Sequence, residues 1–159
     1  GDGLIVNLFP VTALPQILAA YRAGAAEAGR DATRDEVVCR FQVLVTDDVA
    51  GARNLVRLAF GGYAAAPVYN AFFAWCGFEA EAREIAAAWA RRDRAAVAAA
   101  MHDGFVDRIS ILGSAEQCRA QVAEFVAAGV TTPVISPLAL DPRAIEATFA
   151  AFAPARSAT

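Results

Sequence analysis

Apolar and polar positions along this chain alternate between two rhythms. Leu4–Leu8 is a short, dominantly apolar run, the pattern of a parallel strand covered on both faces. Leu14, Ile17, Leu18, Tyr21 and Ala25 then fall on one helical stripe, with Thr12 as the expected cap, Pro15 in the first turn and Gly29 as the stop. Val37–Val45 is rich in β-branched residues and predicts a second strand. Thr46 and Asp47 are cap candidates for a helix expected to run to about Phe60, before Gly61 and Gly62. Helical rhythm continues without a strand through "PVYNAFFAWCGF" from Pro67, through Glu79–Arg91, and from Asp93 to near His102. Ser114 and Gln117 have capping-box spacing ahead of a stripe at Cys118, Val122, Phe125 and Val126 that stops at Gly129. Thr132–Ser136 predicts a third strand, and Asp141-Pro142 opens a last helix bearing Ile145, Phe149 and Phe152. The tail "APARSAT" is expected to fray.

Strands separated by helices imply an α/β fold with a parallel sheet and helical crossovers. Residues 63–104 stand out as a helical insertion in a single domain spanning 1–159. Three parallel strands leave two raw edges and cannot close a doubly wound sheet or a barrel. The expectation is therefore the C-terminal part of a larger α/β domain, with more strands ahead of Leu4.

Composition narrows the class. The chain has 159 residues, 57% hydrophobic and 19% charged, which is globular rather than disordered. A net charge of −3 offers no footprint for nucleic acid or an anionic membrane, and no apolar run reaches membrane-span length. Every one of the 14 basic residues is Arg and Ala is over-used, the codon signature of a GC-rich genome. Cys39, Cys76 and Cys118 are widely spaced and odd in number, so small core residues in a reduced, cytoplasmic protein are expected rather than a disulfide framework.

Three segments, "GDGLIVNLFP", "VVCRFQVLVTDDVAGAR" and "GSAEQCRAQVAEFVAAGVTTPVISP", resemble the last three β/α units of the luciferase-like oxidoreductases, which are flavin- or deazaflavin-dependent (β/α)8 barrels. Gly1-Asp2-Gly3 matches the run that leads into strand six, and Val45–Asp48 the end of strand seven. Gly113–Gln117 departs from the family's helix start at its third and fifth positions. The resemblance implies strands six to eight of a TIM barrel, with the insertion shaping the active-site mouth. It implies an oxidoreductase of the luciferase-like monooxygenase family. "APVYNAFFAW" is closer to the branch that uses the deazaflavin coenzyme F-420 for hydride transfer to a small organic substrate. The alternatives are an FMN-dependent monooxygenase, and a non-catalytic remnant that works only by association with another chain. A homo-oligomer is expected of the full-length form. In this family much of the substrate pocket and the cofactor phosphate site lie ahead of the Asp-Gly run, so this chain by itself is expected to bind neither cofactor strongly.

Barrel sites form at C-terminal strand ends. That rule selects Asn7, Phe9 and Ser136 as cofactor-binding candidates. Asn7 could hydrogen-bond a ring carbonyl or phosphate, or only its own turn. Phe9 could stack on a cofactor ring or fill the core. Tyr63, Tyr69 and Trp75 are substrate-pocket candidates, or packing within an Ala-rich layer. Thr46 is expected to cap a helix, and Gly113-Ser114 to spend its helix end on the capping box rather than a phosphate. His102 is expected to place favourable charge at a helix C-terminus. Arg40 and Gln42 share one face of the second strand, and become a polar pair needing partners if that face turns inward. Arg91, Arg92 and Arg94 are expected to be a solvated face.

Overall fold

The computed structural model describes residues 2–154; Gly1 and the last five residues of the tail expected to fray lie outside the described residues. The order is β1 Gly3–Asn7, a 3-10 turn Val11–Ala13, α1 Leu14–Glu27, β2 Glu36–Val45, α2 Val49–Ala65, α3 Pro67–Trp75, α4 Glu79–Ala90, α5 Arg94–Ala100, α6 Asp103–Ile109, β3 Ile111–Gly113, α7 Ala115–Ala128, β4 Thr132–Pro137 and α8 Pro142–Phe152.

All strand pairs are parallel, as alternation with helices requires. β2 is the hub. β4 runs along Val38–Val43, β1 along Glu36–Arg40 and β3 along Val43–Val45. Because β4 overlaps both of the others on β2, β1 and β3 must share the opposite edge, one behind the other. The sheet thus has four strands rather than the three expected. β3 has only three residues, too few for a periodicity, and Thr46 N–H donates to Gly113 O at 2.9 Å to anchor it.

Four local expectations are corrected. Thr12 lies within the 3-10 turn, and α1 starts on Ala13 with no side-chain cap. Asp48, not Thr46 or Asp47, caps α2 by accepting from Gly51 N–H at 2.9 Å, while Thr46 Oγ1 accepts from Asp48 N–H at 3.0 Å. α2 does not stop at Gly61-Gly62. It runs on to Ala65 because Ala64 is buried on its packed face, and it ends only where Pro67 forces Ala66 into extended backbone, ψ 134°. The insertion's helices continue past 104 through α6, whose N-cap is His102. His102 Nδ1 accepts from Phe105 N–H at 3.3 Å, which leaves the proton on Nε2, 3.1 Å from Glu81 Oε1. His102 therefore opens a helix instead of closing one.

Two cores result. The first lies between the sheet and the crossover helices: Leu4, Val6, Val37, Cys39, Phe41, Val43 and Ile135 face α1 and α7. Phe125 of α7 sets its ring edge-on against Phe9 and Phe41, with centroids at 5.6 and 4.8 Å. The second lies within α2–α6 at the C-terminal end of the strands, centred on Phe73, Phe78 and Phe105, and Leu8, Leu44 and Leu112 join it from the sheet. Asn70 ties three of these helices, donating from Nδ2 to Ala64 O at 3.1 Å and to Ala82 O at 2.7 Å. Arg53 grips Asp107 in a bidentate pair at 2.8 and 2.7 Å and Asp103 at 3.0 Å, fixing α6 on α2. Among the described residues no helix is long and apolar enough to cross a membrane.

Candidate functional site

Strand geometry sorts the sheet into two faces, because successive side chains alternate. One face carries the first core. Register puts Ile5 and Asn7 of β1, Val38, Arg40, Gln42 and Leu44 of β2, and Val134 and Ser136 of β4 on the other. Asn7 is paired with Arg40, Arg40 with Val134, and Gln42 with Ser136. Neighbouring strands lie about 4.8 Å apart, so these side chains stand beside one another.

No helix core closes over most of this second face. Ile5 is 76% exposed and Val134 39%, on a face where covered strands would bury them. Only towards the C-terminal ends does cover arrive, where Leu44 enters the second core. Gln42 sits at that boundary, 4% exposed, and its Nε2 has no hydrogen-bond partner among the described residues. A buried amide left without a partner carries its full desolvation cost, which runs to about 1–3 kcal/mol. Asn7 and Ser136 are half-buried on the same face. Directly after Asn7, Leu8 takes φ 55°, a left-handed backbone rare for a branched residue. That twist carries Leu8 into the second core and holds the end of β1 at the open face.

The structure separates the other candidates. Phe9 belongs to the first core, 2% exposed, with its ring occupied by Phe125; stacking on a cofactor would require it to leave that contact. Tyr63 and Tyr69 come together, rings perpendicular at 5.5 Å, on a groove between α2, α3, α4 and α5. Trp75 is not on that groove and stacks on Phe72 instead, centroids 6.0 Å apart. Ser114 and Gln117 close the full capping box, Ser114 N–H donating to Gln117 Oε1 at 2.8 Å, so that helix end is satisfied within the chain. Burial pushes the Cys39 thiol up to about 12 and the Cys76 thiol up to about 11, and it raises Cys118 as well, which removes all three as nucleophiles near neutral pH. The groove and its Trp89 wall were missed by sequence reasoning, because residues from four helices meet there without a shared motif.

The sequence profile of luciferase-like monooxygenases matches residues 1–132. The chain belongs to that family. No curated protein matches it. Among solved structures, it is similar to the coenzyme F-420-dependent tetrahydromethanopterin reductase of Methanopyrus kandleri, with 20% identity over 93% of this chain and 42% of that one, TM-score 0.66. It is also similar to an F-420-dependent secondary alcohol dehydrogenase in complex with an F-420–acetone adduct, with 18% identity over 94% of this chain and 41% of that one, TM-score 0.64. At such identity the likeness carries the fold, a parallel α/β arrangement like that of luciferase-like barrel enzymes. The chain spans less than half the length of both structures.

Proposed function

We propose that this chain forms strands six to eight, with the mouth insertion, of a luciferase-like (β/α)8 oxidoreductase that uses coenzyme F-420 to transfer hydride to or from a small organic substrate. Residues 1–159 would then be one partial barrel domain. Its open sheet face would turn inward, and further strands would complete the wall. The observation that carries this reading is Gln42: a buried amide nitrogen without a partner, on the uncovered face, beside Ser136 and close to the strand ends where barrel sites form.

The face fits a deazaflavin. Such a ring presents carbonyl oxygens and an N–H along one edge, and Gln42 can donate to the former while its own carbonyl accepts from the latter. Asn7 and Ser136 add an amide and a hydroxyl at neighbouring register positions. When bound, the group supplies the hydride-carrying carbon. The chain's residues hold and orient the ring edge, and the α2–α6 layer over the strand ends keeps water from it. Phe9 would support the site from behind rather than touch the ring. Tyr63 and Tyr69 are the substrate-facing candidates that keep a common surface.

FMN is the alternative, favoured by the monooxygenase character that names the family. Its ring edge offers the same carbonyl pattern, so Gln42 alone does not choose. Anaerobic titration of the protein, expressed from its whole reading frame, with F-420 and with FMN separates them by absorbance change. Saturable binding of F-420 and weak binding of FMN is the expected result. The reverse makes the protein an FMN enzyme. Binding of neither, together with a stable assembly of copies, would favour the associating remnant.

A further inference from the structure

The groove of the helical layer is lined by helix residues alone, and none of its lining residues comes from a strand. It holds about 730 Å3, within the range of small-molecule sites. Tyr63, Tyr69 and Trp89 wall it, and Gly61 and Gly62 of α2 form its floor.

The glycines are the first clue. Glycine is the poorest residue for a helix interior after proline. Packing does not require it here: a Cβ on Gly61 would meet nothing nearer than Val97 Cγ1 at 3.4 Å, and one on Gly62 nothing nearer than Trp89 Cη2 at 3.6 Å. Gly62 is exposed and has room for a methyl, so it leaves the groove bare beside Trp89, whereas Gly61 is buried against Val97 and Met101.

Charge is the second. Among the described residues, the groove's charged lining residues are Arg57 and Arg94. Arg57 is spent, donating to Met101 O at 2.7 Å and Asn54 Oδ1 at 2.9 Å and pairing with Asp103. Arg94 has no ion pair among the described residues, and its guanidinium carbon stands 5.9 Å from the Trp89 ring centroid. An aromatic trough with one unspent cation at its wall suits an apolar body ending in a single negative charge.

We infer that this groove binds an amphipathic monoanion, an aryl or alkyl carboxylate, with its body over Gly61-Gly62 between Tyr63, Tyr69 and Trp89 and its anionic end on Arg94. The inference takes from the proposed function only that Tyr63 and Tyr69 face a small molecule. It needs no cofactor, so it survives failure of the F-420 titration.

The test is a fluorescence titration with 8-anilinonaphthalene-1-sulfonate, followed by displacement with decanoate or 1-decanol. One saturable site is expected. Arg94→Met weakens the probe and decanoate roughly tenfold, as loss of a charge-assisted contact does, and leaves 1-decanol unchanged. Gly62→Leu, checked for native circular dichroism, fills the floor and abolishes binding of all three. Trp89→Phe removes the quenching of protein fluorescence that accompanies binding. Affinity unchanged in Arg94→Met overturns the anionic end. Affinity unchanged in both Arg94→Met and folded Gly62→Leu, or no saturable binding at all, overturns the site.

Discussion

The two faces of β2 differ by one residue in register and by everything in environment. Val37, Cys39, Phe41 and Val43 point to α1 and α7 and are all buried. Val38, Arg40 and Gln42, interleaved with them, face away from that core. On the same side Ile5 and Val134 stay exposed, and a lone amide is buried without a partner. A strand with apolar residues on both faces needs cover on both. Here one face has its cover, and the other has a pattern that further protein and a ligand would satisfy. The lesson is that the covered half and the open half of this sheet are back to back on the same strands.

The largest expected effect lies on the covered face. Phe125→Ala removes the ring that Phe9 and Phe41 both pack against, and should lower unfolding free energy by about 3–5 kcal/mol in urea titrations. A loss under about 1 kcal/mol would mean that the first core is not the main support. Gln42→Leu should do the opposite without ligand. Replacing an orphaned amide by a hydrocarbon of similar size is expected to raise stability by about 1 kcal/mol, while weakening cofactor binding. Destabilisation of the free chain would show that Gln42 has a partner after all.

Smaller effects test the packing of α2 on α6 and the buried thiols. Arg53→Ala cuts the grip on Asp107 and Asp103, but those carboxylates are well exposed, so a loss of about 1 kcal/mol or less is expected. The hydrogen bond from Arg57, opposed by partial desolvation, holds the Asp103 carboxyl below its usual range, with the charges of Arg53 and Arg57 assisting. A depressed folded value means this contribution is present above the ordinary carboxylate range and is lost as pH falls through the folded value. Thermal melts should therefore decline below about pH 4, and less so in Asp103→Asn. Buried thiols work at the other end. Cys39 rises to about 12, so its contribution is whole below the free-thiol value near 9 and fades as pH climbs towards 12. A disulfide-forming colour reagent at pH 8 should find none of the three thiols quickly until denaturant is added. The smallest effect is expected on the open face: Ile5→Thr should shift stability by no more than about 0.5 kcal/mol in this chain.

Much of this was legible in the residues. Dominantly apolar strands separated by helices pointed to the parallel sheet, and Ser114 with Gln117 announced the capping box that closes. Arg40 and Gln42 marked the second face of β2 in advance, since a period of two places them together. Other features were hidden for physical reasons. β3 is too short to show alternation. α2 crosses Gly61-Gly62 because tertiary contacts of Ala64 outweigh local propensity. Phe9 follows Leu8, whose left-handed turn sets where the ring points, and nothing in the composition signals that turn. The groove at Trp89 depends on how four helices meet.

The most direct measurement is the affinity of the protein, expressed from its whole reading frame, for coenzyme F-420, in wild type and in Gln42→Leu. The account predicts saturable binding with a changed deazaflavin spectrum, weakened roughly tenfold or more by the substitution while the unliganded melting temperature holds or rises. Equal affinity in the two proteins would contradict the assignment of the open face as the cofactor site.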